Sequence, residues 1–137
     1  MRKVILFLVL VLALTLVACG GGGEETADTS AGDAANGEKL FNQVTIGPAN
    51  AAGCVTCHSL VPDEVLTGPS QYGLADRAAG RVAGLSAEEY IRQSIMEPNA
   101  YLVEGFQAGV MYQNFGAELT ESEINDIVAY MLTLKEN

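Results

Sequence analysis

Histidine occurs once in this chain, at His58, and cysteine three times, at Cys19, Cys54 and Cys57. That scarcity weighs against a structural zinc site, which takes about four ligands, usually Cys or His. Basic charge is also scarce, with 7 Lys and Arg against 17 Asp and Glu and a net charge of −10. No lysine lies between Lys39 and Lys135. Such a surface suits neither nucleic acid nor passive adhesion to anionic lipid; it suits a cationic partner. A long hydrophobic run is missing too. The apolar stretch from Val4 to Ala18, broken by Thr15, falls short of the roughly 18–20 residues that span a bilayer comfortably. No alternating strand pattern and no internal repeat stands out.

What the N-terminus does have is Arg2 and Lys3 ahead of that apolar run, the layout of an export signal. The run ends in "LVAC", which resembles a bacterial lipoprotein cleavage box with Cys19 as the lipidated first mature residue. An uncleaved transmembrane anchor is the competing reading. Either one tethers the chain to a membrane, exported and facing the periplasm or cell exterior. Lipidation of Cys19 also resolves the odd cysteine count, leaving Cys54 and Cys57 as a matched pair. Loss of Arg2 and Lys3 with the leader would take the charge from −10 to −12. The expected organisation is a signal peptide over 1–18, a lipid-anchored acidic tether over 19–36 and a domain over 37–137. "GGGGEETADTSAGDAAN", residues 20–36, has no large apolar side chain and cannot bury a core. Its expected reach is about 20–25 Å.

Within the domain, "GEKLFNQV" places Leu40, Phe41 and Val44 on one side of a short helix. Gly47, Pro48 and Gly53 break the next stretch, and Pro62, Gly68 and Pro69 keep residues 59–70 irregular. Ser86 with Glu89, and Thr120 with Glu123, are capping boxes opening two further helices. Tyr90, Ile91, Ser94 and Ile95 share a face of the first of these. Ile124, Ile127, Val128, Met131 and Leu132 form the stripe of the second. The expected fold class is all-α. A domain of this size buries only a modest core, so a further element should help hold it together.

The stretch "GCVTCHSL" bears the chemistry. A C-x-x-C followed by His fits a dithiol pair, part of a zinc site, or attachment of c-type haem. Zinc lacks ligands, and a thioredoxin-like dithiol expects a βαβ setting that is missing here. Haem c fits the rest: Cys54 and Cys57 supply two thioethers, His58 is held against the iron, and the macrocycle supplies the missing core.

The segment from about Gly37 onward resembles a class I monohaem cytochrome c. The likeness rests on "GEKLF", "GCVTCHSL", "LTGPS", "GVMYQNFGAELTESEI" and "IVAYMLTL". "SIMEPNAYLVEGFQAGVM" is similar to cytochrome c domains of some terminal oxidase subunits II and to small lipoprotein cytochromes. The resemblance implies three to five short helices around one covalent haem. It also implies a Gly68-Pro69 turn whose carbonyl accepts the His58 Nδ1 proton, and packing of Gly37 and Phe41 against Tyr130.

Met96, Met111 and Met131 are the candidates for the sixth ligand. Met131 falls in an apolar stripe and Met96 points away from its helix's apolar face. Met111 lies in the glycine-flanked loop "EGFQAGVMYQNFG" and at the family's ligand position. The family usually has Pro next, where this chain has Tyr112, and losing proline's fixed φ is expected to loosen the loop. Arg77, Arg81, Arg92, Tyr72 and Tyr101 are candidates for the haem propionates. Met/His ligation closes the iron and raises its potential. The resemblance therefore implies a one-electron carrier without catalytic residues or a small-molecule substrate. Its expected partners are an oxidase, reaction centre or quinol-oxidising complex with a basic docking patch, facing Asp63, Glu64, Glu97, Glu104 and Glu118. The competing readings are a gas or peroxide sensor or minor peroxidase with a labile sixth ligand, and a permanent haem subunit of a larger complex.

Overall fold

Asp33 begins the first helix, α1 (Ala34–Phe41), by accepting from the Ala35 and Asn36 backbone N–H groups at 2.8 and 3.2 Å. These first turns carry no large apolar residue, so the expected domain boundary at Gly37 falls three residues inside the helix. The computed structural model describes residues 31–136. The expected leader, Cys19 and the tether up to residue 30 lie outside the described residues.

The start of α1 is fastened from the far end of the chain. Asp126 is buried, and its carboxylate accepts from the Asp33 backbone N–H and from Asn36 Nδ2, both at 2.7 Å. Asp126 belongs to α6 (Glu121–Met131), which packs across α1. Gly37 sits at the crossing: a Cβ there would lie 1.8 Å from the Asp126 carbonyl oxygen and 2.9 Å from Tyr130 Cβ. One turn on, the Phe41 and Tyr130 rings meet at 5.5 Å. The Gly37, Phe41 and Tyr130 packing implied by resemblance is thus present.

Gly37→Ala is accordingly expected to destabilise the protein. At an exposed helical site this exchange would stabilise by up to about 1 kcal/mol, whereas an overpacked crossing costs about 1–3 kcal/mol. Denaturant unfolding of the holoprotein reads the sign.

After α1 the chain makes one feature that the sequence pattern did not suggest. β1 (Thr45–Ile46) and β2 (Ala51–Ala52) pair antiparallel, Thr45 with Ala52 and Ile46 with Ala51. Two residues per strand carry no readable period, and Gly47 at φ +74° turns the loop between them. Next come the single turns α2 (Cys54–Cys57) and α3 (Leu74–Arg77), the latter followed by a 3-10 turn at Ala78–Gly80.

The helix α4 (Ala87–Met96) and α6 both open on the expected capping boxes. Ser86 Oγ accepts from the Glu89 backbone N–H at 3.2 Å, and Glu89 accepts from the Ser86 N–H at 2.7 Å. The Thr120 and Glu123 pair repeats the arrangement. A last single turn, α5 (Phe115–Glu118), precedes α6.

Among the described residues there are thus three helices of 8, 10 and 11 residues and three single turns. The fold is all-α, with the strand pair as its one departure. Phe41, Ile91, Ile124 and Ile127 are its most deeply buried large side chains. They lie on the inward faces of α1, α4 and α6 and border the cavity described next, except Ile124.

Candidate cofactor site

A cavity of about 570 Å³ opens between α2, α4, α6 and the irregular segments around residues 67–71 and 98–114. Cys54 and Cys57 line it from the single turn α2, where i, i+3 spacing sets both on one side. The turn ends at His58, whose N–H still donates to the Cys54 carbonyl at 2.9 Å while its backbone becomes extended, at φ −120° and ψ 127°. Gly53 allows the turn to approach the preceding loop: a Cβ there would lie 1.9 Å from the Gln43 carbonyl oxygen.

The two thiols are free. Burial pushes the Cys54 thiol up to about 11, with the neighbouring Cys57 adding to the rise. A redox dithiol needs the opposite, a thiolate stabilised near neutrality. Zinc fares no better, since among the described residues no group of three or more His, Cys, Asp and Glu side chains is placed to hold a metal ion.

His58 also lines the cavity. Its Nδ1 lies 2.8 Å from the Pro69 carbonyl oxygen. With Nδ1–H donating there, Nε2 keeps its lone pair for a metal, and the bond fixes ring orientation and raises ligand basicity. Burial lowers the imidazole's pKa, partly offset by the Pro69 bond, which keeps the ring neutral as ligation requires. Gly68 is needed for close approach: a Cβ would sit 2.4 Å from His58 Cε1. Gln71, only 7% exposed, brings Nε2 to 2.9 Å from Nδ1 and 3.2 Å from the Pro69 oxygen. Sequence reading missed Gln71, because nothing in its neighbours marks a buried amide.

Of the three candidate methionines, Met111 and Met131 line the cavity and Met96 does not. Met96 instead packs behind it, its Cα 3.4 Å from where a Cβ on Gly116 would stand. Met131 is half-buried and packs against the core, as its place in the apolar stripe suggested, and it also borders the site. Met111 is half-buried on the loop between α4 and α5. Gln113 Nε2 donates to the Met111 carbonyl at 2.5 Å, and Asn99 ties Gln113 to the Gly109 N–H at 2.6 and 2.9 Å.

Arg77, Arg81 and Tyr101 line the cavity; Arg92 and Tyr72 are not among its lining. Arg92 pairs with Glu121 at 2.9 Å, and Arg77 donates to the Ser70 carbonyl at 2.6 Å and to that of Tyr72. The acidic rim is also modified. Asp63, Glu64, Glu97 and Glu104 are exposed, but Glu118 is half-buried and accepts the Tyr112 hydroxyl proton. Leu102 and Val110 line the mouth while remaining 42% and 52% exposed.

The walls are largely apolar, including Ile91, Ile95 and Phe115, and two thiols, an imidazole and two thioethers border the same volume. That set fits a covalently attached haem.

The cytochrome c family model matches residues 34–135. Cytochrome c2 of Rhodobacter capsulatus is 31% identical over 130 residues, covering 79% of this chain and 87% of the relative. No solved structure gives a significant match. The family match starts at the first residue of α1, in agreement with the Asp33 cap. The chain belongs to the cytochrome c family, as a haem c electron-transfer protein and not an enzyme.

Proposed function

We propose that this protein is a membrane-tethered electron carrier in which Cys54 and Cys57 would hold the haem, His58 and Met111 would supply the side chains that bind its iron, and Cys19 would bear the lipid. The observation that supports the site assignment is the shared cavity: the C-x-x-C-H turn borders one apolar volume with Met111 and Met131, and of the two Met111 stands on an irregular loop, free of the helical packing that holds Met131 in α6. Bound there, haem supplies a one-electron Fe(III)/Fe(II) couple. The chain's own part is to orient and to exclude. Pro69 orients His58 and, with Gly68 lacking a side chain, seats the ring. Ile91, Ile95 and Phe115 keep the pocket apolar, and Met111 would keep small ligands off the iron.

Among the described residues no helix is long and apolar enough to cross a membrane. The anchor proposal rests on Arg2, Lys3, the apolar run and "LVAC". With Asp33 already in the fold, the proposed tether would end at about Gly32 and not at residue 36.

For docking, the exposed acids Asp63, Glu64, Glu97 and Glu104 and the apolar Leu102 and Val110 favour a redox partner with a basic, partly apolar patch, such as an oxidase, reaction centre or quinol-oxidising complex. Complementary charge mainly raises the association rate, and salt screens it over about 10 Å at 0.1 M. The bimolecular electron-transfer rate of a soluble form starting near Gly32 should fall steeply with salt. It should fall again in Glu97→Gln/Glu104→Gln. A salt-independent rate with the native partner would overturn the electrostatic docking. Stopped-flow mixing at several ionic strengths gives the answer.

A further inference from the structure

The Met111 loop has little of its own to hold it in place. Residues 98–114 form no regular structure, Gly105 and Gly109 stand at φ +89° and +78°, and position 112 is not proline. A thioether is a weak donor, so its hold on a metal depends on how firmly the backbone presents it. One brace, the Asn99–Gln113 relay, is solvent-exposed along its length.

The second brace is better sheltered. The Tyr112 hydroxyl donates to Glu118 Oε1, and the Tyr112 ring meets Phe115 edge to face at 5.1 Å and 69°. Phe115 is core. Glu118 ends the single turn α5 beside it, and its Oε2 is buried without a hydrogen-bond partner among the described residues. A Cβ on Gly47 would stand 3.5 Å from that oxygen, so the carboxylate is wedged between Tyr112 and the β1–β2 turn. Hydrogen bonds to a charged acceptor are the stronger kind, and a carboxylate this enclosed depends on the bond it has.

We propose that Tyr112 and Glu118 are positioning residues for Met111, supplying through side chains the restraint that a rigid backbone would otherwise give. Tyr112 is joined to Met111 by a single peptide bond, so moving Met111 off the cavity strains or breaks the Tyr112–Glu118 link. The inference rests on the assignment of Met111 as a ligand.

The test measures imidazole binding to the oxidised holoprotein, together with thermal unfolding, in Tyr112→Phe, Glu118→Ala, Glu118→Gln and Met111→Ala. An incoming ligand sees only the fraction of molecules with Met111 displaced. Loss of one hydrogen bond to a charged acceptor should raise that fraction, and the imidazole affinity, by roughly tenfold or more. Tyr112→Phe keeps the ring contact and should show this gain. Glu118→Ala should match it, with no further gain when Tyr112→Phe and Glu118→Ala are combined in one protein. Glu118→Gln retains an acceptor oxygen and should remain nearer the wild type. Unchanged imidazole affinity in Tyr112→Phe, with or without a lower unfolding temperature, would overturn the positioning role while leaving Met111 as ligand if Met111→Ala binds imidazole much more tightly. Unchanged affinity in Met111→Ala would sink the ligand assignment and this inference with it.

Discussion

Replacing both Cys54 and Cys57 by alanine should leave almost no folded protein. The reason is volumetric. The cavity they border is about 570 Å³, and an unfilled core cavity costs on the order of 24 cal/mol per Å³. Even after a generous discount for its open mouth, that approaches the whole net stability of a small domain, about 5–15 kcal/mol. Ile91, Ile95 and Phe115 line the cavity and lose their packing partner when it is vacant. Either single variant should lose stable covalent attachment at one point and yield at least about tenfold less folded protein. Intact mass under denaturing conditions and far-UV circular dichroism give the two readouts. A double variant that folds and melts like the wild type would show that the cavity is not filled by a covalently held group.

Met111→Ala should have the largest effect on the redox chemistry. The variant should lose the weak long-wavelength Fe(III)–S absorption while keeping the covalent attachment through Cys54 and Cys57. Met111→His should lower the midpoint potential by at least about 0.1 V, a fraction of the roughly 0.8 V that axial ligands command across haem proteins. Met131 borders the same cavity, so Met131→Ala is the necessary companion. Wild-type-like spectra in Met111→Ala with the change in Met131→Ala would transfer the assignment to α6.

The attachment motif was legible because its chemistry is local. Cys54, Cys57 and His58 lie within five residues, and one helical turn sets their relation without help from the rest of the fold. The capping boxes at Ser86 and Thr120 were legible for the same reason. Gly68 and Pro69 came from resemblance, and the structure supplies the physical cause: a ring that tolerates no Cβ at 68 and a carbonyl 2.8 Å from Nδ1.

What the sequence concealed are bonds between distant positions. Asp126 and Asp33 stand 93 residues apart, and an acid in the middle of a helix reads as surface until its partner is known. Gln71 reads as a polar loop residue, yet it is buried beside His58. Glu118 was counted with the acidic rim, whereas its bond to Tyr112 draws it inward. The start of α1 was placed late because Ala34–Asn36 offers no apolar period, although Asp33 ahead of it was a capping signal in its own right.

Carbon monoxide added to the reduced holoprotein tests most directly whether this is a closed electron carrier. With His58 and Met111 both in place, the wild-type spectrum should remain unchanged on the time scale of mixing, while Met111→Ala should bind the gas rapidly. Rapid binding by the wild type would contradict the account, because an iron open to small ligands belongs to a sensor or peroxidase.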